Sequence, residues 1–254
     1  MLIDTHAHLQ LNHFDDDREA VIQRALEAGV EKIIVVSTDL ASSRQSVVLA
    51  EKHAGVYAAV GFHPTDCGAA TGDDFAEIVR LAQHPKVVAV GEIGMDFYWK
   101  PFSLESQQRA FVRQLRLAQE IGKPVIIHNR EAGDAILQTL RELAIHQLDG
   151  VFHCFSENVE YARRVLDLGC HISFTGNLTY KKSTLPEVAA CVPLERLLLE
   201  TDCPFMTPVP HRGKRNEPAF TVHIAEKLAE IKEISFEEVC QRTTANAAAL
   251  FKLG

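Results

Sequence analysis

The sequence predicts an α/β fold, a single (β/α)8 TIM barrel spanning residues 1–254, on three observations. Short β-rich runs alternate with longer amphipathic segments almost from end to end. Several of these runs are continuous apolar stretches, as strands of a parallel sheet covered on both faces must be. The length, 254 residues, is close to the roughly 250 of a typical barrel of this kind. Strands that are each followed by a helix favour a closed barrel over an open doubly wound sheet. No linker, low-complexity tract or composition shift divides the chain.

The expected strands lie at 2–3, 32–36, 56–60, 87–90, 124–127, 150–152, 171–174 and 196–199. Helical patterns cover 15–28, 42–54, 103–121 and 158–168, stopping at Gly29, Gly55, Gly122 and Gly169, because glycine after the last periodic residue ends a helix. Ser103 is a natural N-cap, with Glu105 in the first turn. Past the eighth strand come helices over 219–232 and 235–251, where Glu238 stands three residues beyond Ser235 as a capping box.

Hydrophobic residues make up 46% and charged residues 24%, enough apolar material for a core without staples. A net charge of −8 argues against coating nucleic acid electrostatically but leaves room for a local basic rim. None of the six cysteines forms a C-x-x-C pair, so neither a zinc ribbon nor a redox dithiol is indicated. The amino terminus lacks a signal-peptide pattern, and no apolar run approaches the ~20 residues that span a bilayer. The expectation is a cytoplasmic protein with no membrane partner and nothing that demands more than a monomer.

Barrel enzymes carry reactive side chains at the carboxyl ends of their strands. The first strand ends in Asp4-Thr5-His6-Ala7-His8; residues two apart share a face, so His6 and His8 point together into the mouth. The third ends at His63, the fourth at Glu92, the fifth at His128, the sixth at His153 and the eighth at Asp202. Any one alone reads equally well as a loop hydrogen-bonder. Six such strand ends at one mouth of one barrel read as a metal centre, because cations compensate carboxylates that would otherwise repel. Mixed His and carboxylate donors suit Zn, Mn, Co or Fe, and Mg less comfortably. Glu92 can bridge two ions roughly 3.5–4 Å apart, the spacing of two-metal hydrolases. In such a centre a bound water is acidified, the electrophile is polarised, and Asp202 orients or deprotonates the nucleophile.

These motifs, in this order, resemble the TatD family of metal-dependent deoxyribonucleases, within the wider amidohydrolase-like barrels. The resemblance also takes in Gly61-Phe62-His63-Pro64, Gly91-Glu92-Ile93-Gly94-Met95-Asp96, His153-Cys154-Phe155-Ser156 and Arg212 to Pro218, so it covers essentially the whole chain. It implies one ion on His6, His8 and Asp202, a second on His128 and His153, and Glu92 reaching both. It also implies 3′-to-5′ exonuclease action on DNA, with RNA an open extension and Mg often the supporting ion. Many amidohydrolase relatives bridge their metals with a carboxylated lysine on the fourth strand; here that position resembles Glu92. The family often has Ser after the eighth-strand Asp, where this chain has Cys203, to which a packing role is given.

A phosphodiester substrate needs cations near the ions. Arg130, Arg212 and Arg215 are the substrate-binding candidates, with Lys181 and Lys182 balanced against a solvated loop. His63 is a phosphate contact, a general acid, or a loop hydrogen-bonder before Pro64. Glu200 is a partner of the metal centre, an occasional ligand, or a structural buried acid; Asp4 is given a structural role. Phe97, Tyr98 and Trp99 either stack nucleobases or pack their loop. His53, His84, His146 and His223 read as surface residues.

Three functions follow, in order: a nuclease acting on a DNA end, an amide or ester hydrolase or aminoacyl-tRNA deacylase on the same scaffold, and a noncatalytic metal-dependent binding protein. The second stays open because a barrel does not fix substrate class. Whether Arg130 and residues 212–215 line the site separates the first two. Activity is expected to fall in acid, because His6, His8, His128 and His153 must be neutral to ligate.

Overall fold

The computed structural model describes residues 1–99 and 102–254. Eight parallel strands form one sheet in sequence order. They are β1 (Leu2–Ala7), β2 (Val30–Val36), β3 (Val56–Val60), β4 (Val87–Asp96), β5 (Val125–Arg130), β6 (Gly150–Phe152), β7 (His171–Phe174) and β8 (Leu197–Leu199). Helices α1 (Arg18–Glu27), α2 (Leu40–Lys52), α3 (Gly72–Ala82), α4 (Leu104–Ile121), α5 (Gly133–Glu142), α6 (Val159–Asp167) and α7 (Leu185–Cys191) lie between the strands. Helices α8 (Thr221–Lys232) and α9 (Phe236–Phe251) follow β8. The predicted TIM barrel is the observed fold.

The barrel closes at its mouth rather than along its whole wall. Ala7 bridges Cys203 in parallel, the His8 amide donates to the Cys203 carbonyl at 2.9 Å, and the Asp202 amide donates to the His6 carbonyl at 2.8 Å. Lower down, Thr5 Oγ1 donates to the Leu199 carbonyl at 3.0 Å.

Two apolar layers hold the barrel. Ile33 and Val35 of β2 face outward into the core shared with the helices. Ile34 and Val36 meet Ile3, Ala59, Ile126, Val151 and Leu198 from strands around the ring, contacts that non-neighbouring strands make only through the interior. Ala247, Leu250 and Phe251 of α9 pack against that interior cluster.

Local signals explain most boundaries. Ser103 caps α4 by accepting from the Ser106 amide, and Gly122 ends it at φ 63°, a left-handed conformation that glycine adopts without a Cβ penalty. Three helices differ from expectation at their boundaries. Helix α1 starts at Arg18 because Asn12–Phe14 forms a separate 3-10 turn. Helix α2 starts at Leu40 because Asp39 and Ser42 form a capping box, and it ends in extended backbone at His53, before Gly55. Helix α8 starts at Thr221 because Pro218–Phe220 is a 3-10 turn. Ser235 accepts from the Glu238 amide, the first half of the expected box. No helix among the described residues is long and apolar enough to cross a membrane.

Candidate metal centre

The closure of the barrel builds half the site. Pairing of the Asp202 amide with the His6 carbonyl sets the ends of β1 and β8 side by side. Asp202 takes a left-handed φ of 54°, uncommon for a residue with a side chain and held only where its surroundings over-determine it. Its Oδ1 thereby comes within 3.2 Å of His8 Nε2 and 3.7 Å of His6 Nε2.

The other half comes from β4, which runs six residues past its apolar run, to Asp96, by pairing Ile93 to Asp96 with Ile127 to Arg130 of β5. Gly94, at φ 145°, makes this possible: a Cβ there would overlap the His128 carbonyl. Glu92 is thereby carried inward, 3% exposed, among five histidines.

The two oxygens of Glu92 face different partners. Oε2 lies 3.3 Å from His6 Nε2 and 3.9 Å from His8 Nε2. Oε1 lies 2.7 Å from His153 Nε2, 2.8 Å from His128 Nδ1 and 3.5 Å from His63 Nε2. Among the described residues, three triplets bring donor atoms within 4.8 Å of one another: His6–His153–Asp202, His6–His8–Glu92 and His63–Glu92–His128.

Hydrogen bonds fix how the rings present their nitrogens. His8 Nδ1 donates to the Val36 carbonyl at 2.8 Å, so the neutral ring turns the Nε2 lone pair toward Asp202 and toward His6 Nε2, 3.2 Å away. His128 Nε2 donates to Asp96 Oδ2 at 3.0 Å, which leaves the Nδ1 lone pair facing Glu92. Lone pairs and carboxylate oxygens at such distances repel unless positive charge lies among them. The donor set therefore fits divalent cations.

The titration of these groups expresses the same demand. Burial would raise the Glu92 carboxyl, but His153, His63 and His128 outweigh it and hold Glu92 well below the ordinary range. Asp202 is lowered, against its burial, by His8 and His6. Burial works to lower His153, yet Glu92 and Glu200 raise it well above its usual value. Against burial, Asp202 raises His8, and Asp96 and Glu92 raise His128. His6 is lowered by burial and by the neighbouring His153.

His63 behaves differently. The Thr65 amide donates to His63 Nδ1 at 3.1 Å, so in the neutral ring Nε2 carries the hydrogen. Burial and the charge of His128 push His63 down to about 3. At neutral pH it is a donor facing the cavity, rather than a lone pair offered to a metal.

A cavity of about 540 Å³ opens above this cluster, lined by His8, His63, Glu92, His128, His153 and Asp202. Arg130 also lines it, with its guanidinium 4.8 Å from the Tyr98 ring centre. Arg212 and Arg215 are not among the lining residues. Arg212 stacks on Tyr180 at 3.9 Å. Arg215 pairs with Asp17 through both terminal nitrogens, at 2.9 and 2.7 Å, and lies over Phe14, which holds the loop after β8 to α1. Lys181 and Lys182 are exposed and likewise do not line the cavity.

Asp4 accepts from the Thr201 amide and hydroxyl and from the His6 amide, and burial lifts it to about 7; its work is to join β1 to β8. Glu200 accepts from the Cys154 amide at 2.6 Å and Ser173 Oγ at 2.7 Å, with Oε1 3.5 Å from His153 Nδ1. Cys203 is fully buried. His53 and His223 are half-buried beside Glu19 and Glu226. Phe97 packs toward the core, whereas Tyr98 and Trp99 stay exposed. Asp96 holds His128 and carries no separate signal in the sequence, because its place depends on β4 pairing with β5 to its last residue.

A family model described as TatD related DNase matches residues 3–252. The chain belongs to the TatD family. It is 43% identical over 254 residues to the metal-dependent hydrolase YabD of Bacillus subtilis, covering 100% of both. It is 34% identical over 258 residues to a relative in Shigella flexneri named 3'-5' ssDNA/RNA exonuclease TatD, covering 98% of each. The crystal structure of the TatD homolog YjjV from Escherichia coli superposes with a TM-score of 0.93 at 36% identity, covering 100% of this chain and 98% of that one. This TatD-family chain is a metal-dependent hydrolase.

Proposed function

We propose that the chain is a two-metal nuclease that removes nucleotides from the 3′ end of single-stranded DNA, and of RNA, by hydrolysing phosphodiester bonds. The observation that carries this reading is the division of Glu92, with Oε2 turned to His6 and His8 and Oε1 to His128 and His153. In the proposal His6, His8 and Asp202 hold one ion, His128 and His153 the other, and Glu92 reaches both. The name carried by the Shigella flexneri relative supports the substrate and direction.

Bound divalent ions would supply an acidified water and a polarised phosphate. The chain's own residues supply the rest. Asp202, kept ionised by His8 and His6, takes the proton of the attacking water. His63 offers its Nε2 hydrogen to a phosphate oxygen, and Arg130 neutralises the phosphate at the rim. Burial of Glu92 keeps its carboxylate fixed while the substrate changes.

One observation favours a second reading. Arg130 is the one Lys or Arg lining the cavity among the described residues, which also suits an ester or amide substrate, including an aminoacyl-tRNA. Single-stranded DNA with different labels at its two ends, digested with Mg, Mn, Co or Zn, separates the two. Shortening from the 3′ end that vanishes in Asp202→Asn is expected. No cleavage despite measured metal occupancy would transfer the proposal to the ester or amide substrate.

A further inference from the structure

Two large aromatic side chains stand in water at the rim of the cavity. Trp99 is 69% exposed and Phe205 50%, and both line the cavity above Glu92. Trp99 follows β4 and Phe205 follows β8. In a ring of eight strands in sequence order, those two strands lie four apart in either direction. The loops that carry them therefore leave the barrel on opposite sides of the mouth, and both side chains line the cavity between.

Both are tethered to the centre itself. The Trp99 amide donates to Asp96 Oδ1 at 2.8 Å, and the other oxygen of Asp96 holds His128. The Phe205 amide donates to the Asp202 carbonyl at 2.9 Å. Asn216 Nδ2 donates to the Phe205 carbonyl at 2.5 Å and the Thr201 carbonyl at 2.8 Å, which pins that turn from below. Exposed apolar surface held this firmly over a reaction centre has a use only when a ligand covers it. A flat, apolar ligand face on each side, with a phosphate near Arg130, is the chemistry of a single nucleic-acid strand.

Resting on the nuclease reading above, we propose that Trp99 and Phe205 form two base-stacking subsites that hold a single strand across the metal centre, one base on each side of the phosphate to be cut. Stacking on a side chain requires a base face that a duplex keeps for its neighbours. The arrangement thus selects unpaired ends and is indifferent to base identity, since every base has a π-face.

Trp99 is the only tryptophan of the chain, so its fluorescence reports on the first subsite directly. The metal-loaded protein would be titrated with an oligothymidylate whose terminal linkages are phosphorothioates, with a matching oligomer of abasic residues, and with a blunt duplex. Quenching by the first alone is expected. Quenching by the duplex or by the abasic strand to the same extent would overturn the stacking assignment. KM for ordinary and abasic single strands would then be compared in wild type, Trp99→Ala and Phe205→Ala. Wild type is expected to prefer the base-bearing strand by about tenfold or more, a preference that falls several-fold in each variant, collapses toward unity when both are combined, and returns in Trp99→Phe and Phe205→Trp. A preference untouched by both alanine variants would overturn the proposal while leaving the nuclease reading intact. A wild-type protein that neither binds nor cuts any strand, with its metals present, would overturn both.

Discussion

Asp96 and His128 are joined at 3.0 Å through Oδ2 and Nε2, and the remaining Asp96 oxygen holds the amides of Tyr98 and Trp99. One buried carboxylate thus sets both the tautomer of a metal-facing ring and the course of the rim loop. Asp96→Asn can turn only one end of its amide to each task. Loss of such a partner usually costs 10–100-fold in metal affinity or activity. A fall of about that size in affinity for the ion at His128 is expected from metal titration; unchanged affinity and turnover would remove Asp96 from the centre.

Removing metal should destabilise the folded protein, because the histidines and carboxylates brought together here bind cations only when folded. An ion at a hundredfold excess over its dissociation constant contributes about 2.7 kcal/mol, which for a chain of this size corresponds to roughly 5–10 °C in Tm. Chelation should lower the melting temperature by about that much, and added Mn or Zn should restore it. In Glu92→Gln the ratio of bound metal to protein should drop from about two to one or fewer. A melting curve indifferent to chelator would contradict a cation at these residues.

Arg130 and Arg215 should separate cleanly on substitution. Arg130→Ala removes the cation that lines the cavity and is expected to raise KM for DNA several-fold, more steeply at low salt. Arg215→Ala breaks the pair with Asp17 and the contact over Phe14, so a stability loss of roughly 0.5–1.5 kcal/mol is expected in urea, with KM little altered. The opposite pattern would return residues 212–215 to the substrate path.

His171, at the start of β7 and far from the metal centre, is depressed to about 4 by burial and by the charge of Arg196. Its unfolded form titrates near 6.5, so the unfolded chain binds more protons between these values. Its share of stability is therefore complete above about pH 6.5 and is lost as pH falls through 4. Partial solvent access reduces the share to about 1–2 kcal/mol. His171→Gln should flatten the slope of urea midpoint against pH in that window; an identical slope would show that folding does not depress the titration of this ring.

The barrel was legible because β2, β3 and β5 to β8 are apolar runs with little ambiguity, and His6, His8, Glu92, His128, His153 and Asp202 each follow shortly after the apolar run of a strand, toward its carboxyl end. What stayed hidden depends on partners distant in sequence. The polar end of β4 reads as a loop until His128 to Arg130 are seen to pair with it. Arg215 reads as a free cation until Asp17, 198 residues away, is found beside it. His63 kept its alternatives until the Thr65 amide fixed its ring. Phe205 carried no signal because nothing in its neighbours announces that Asn216 will hold its backbone while its ring faces solvent.

The bond between Asp202 and His6 also has a meaning during biosynthesis. Chains emerge from the ribosome amino end first, so His6 and His8 emerge well before their partner carboxylate, which follows nearly two hundred residues later. Until β8 arrives, the mouth has no closing seam and the first of the two proposed metal positions lacks Asp202. A nascent chain, or one shortened before β8, therefore carries most of the donors but no competent centre.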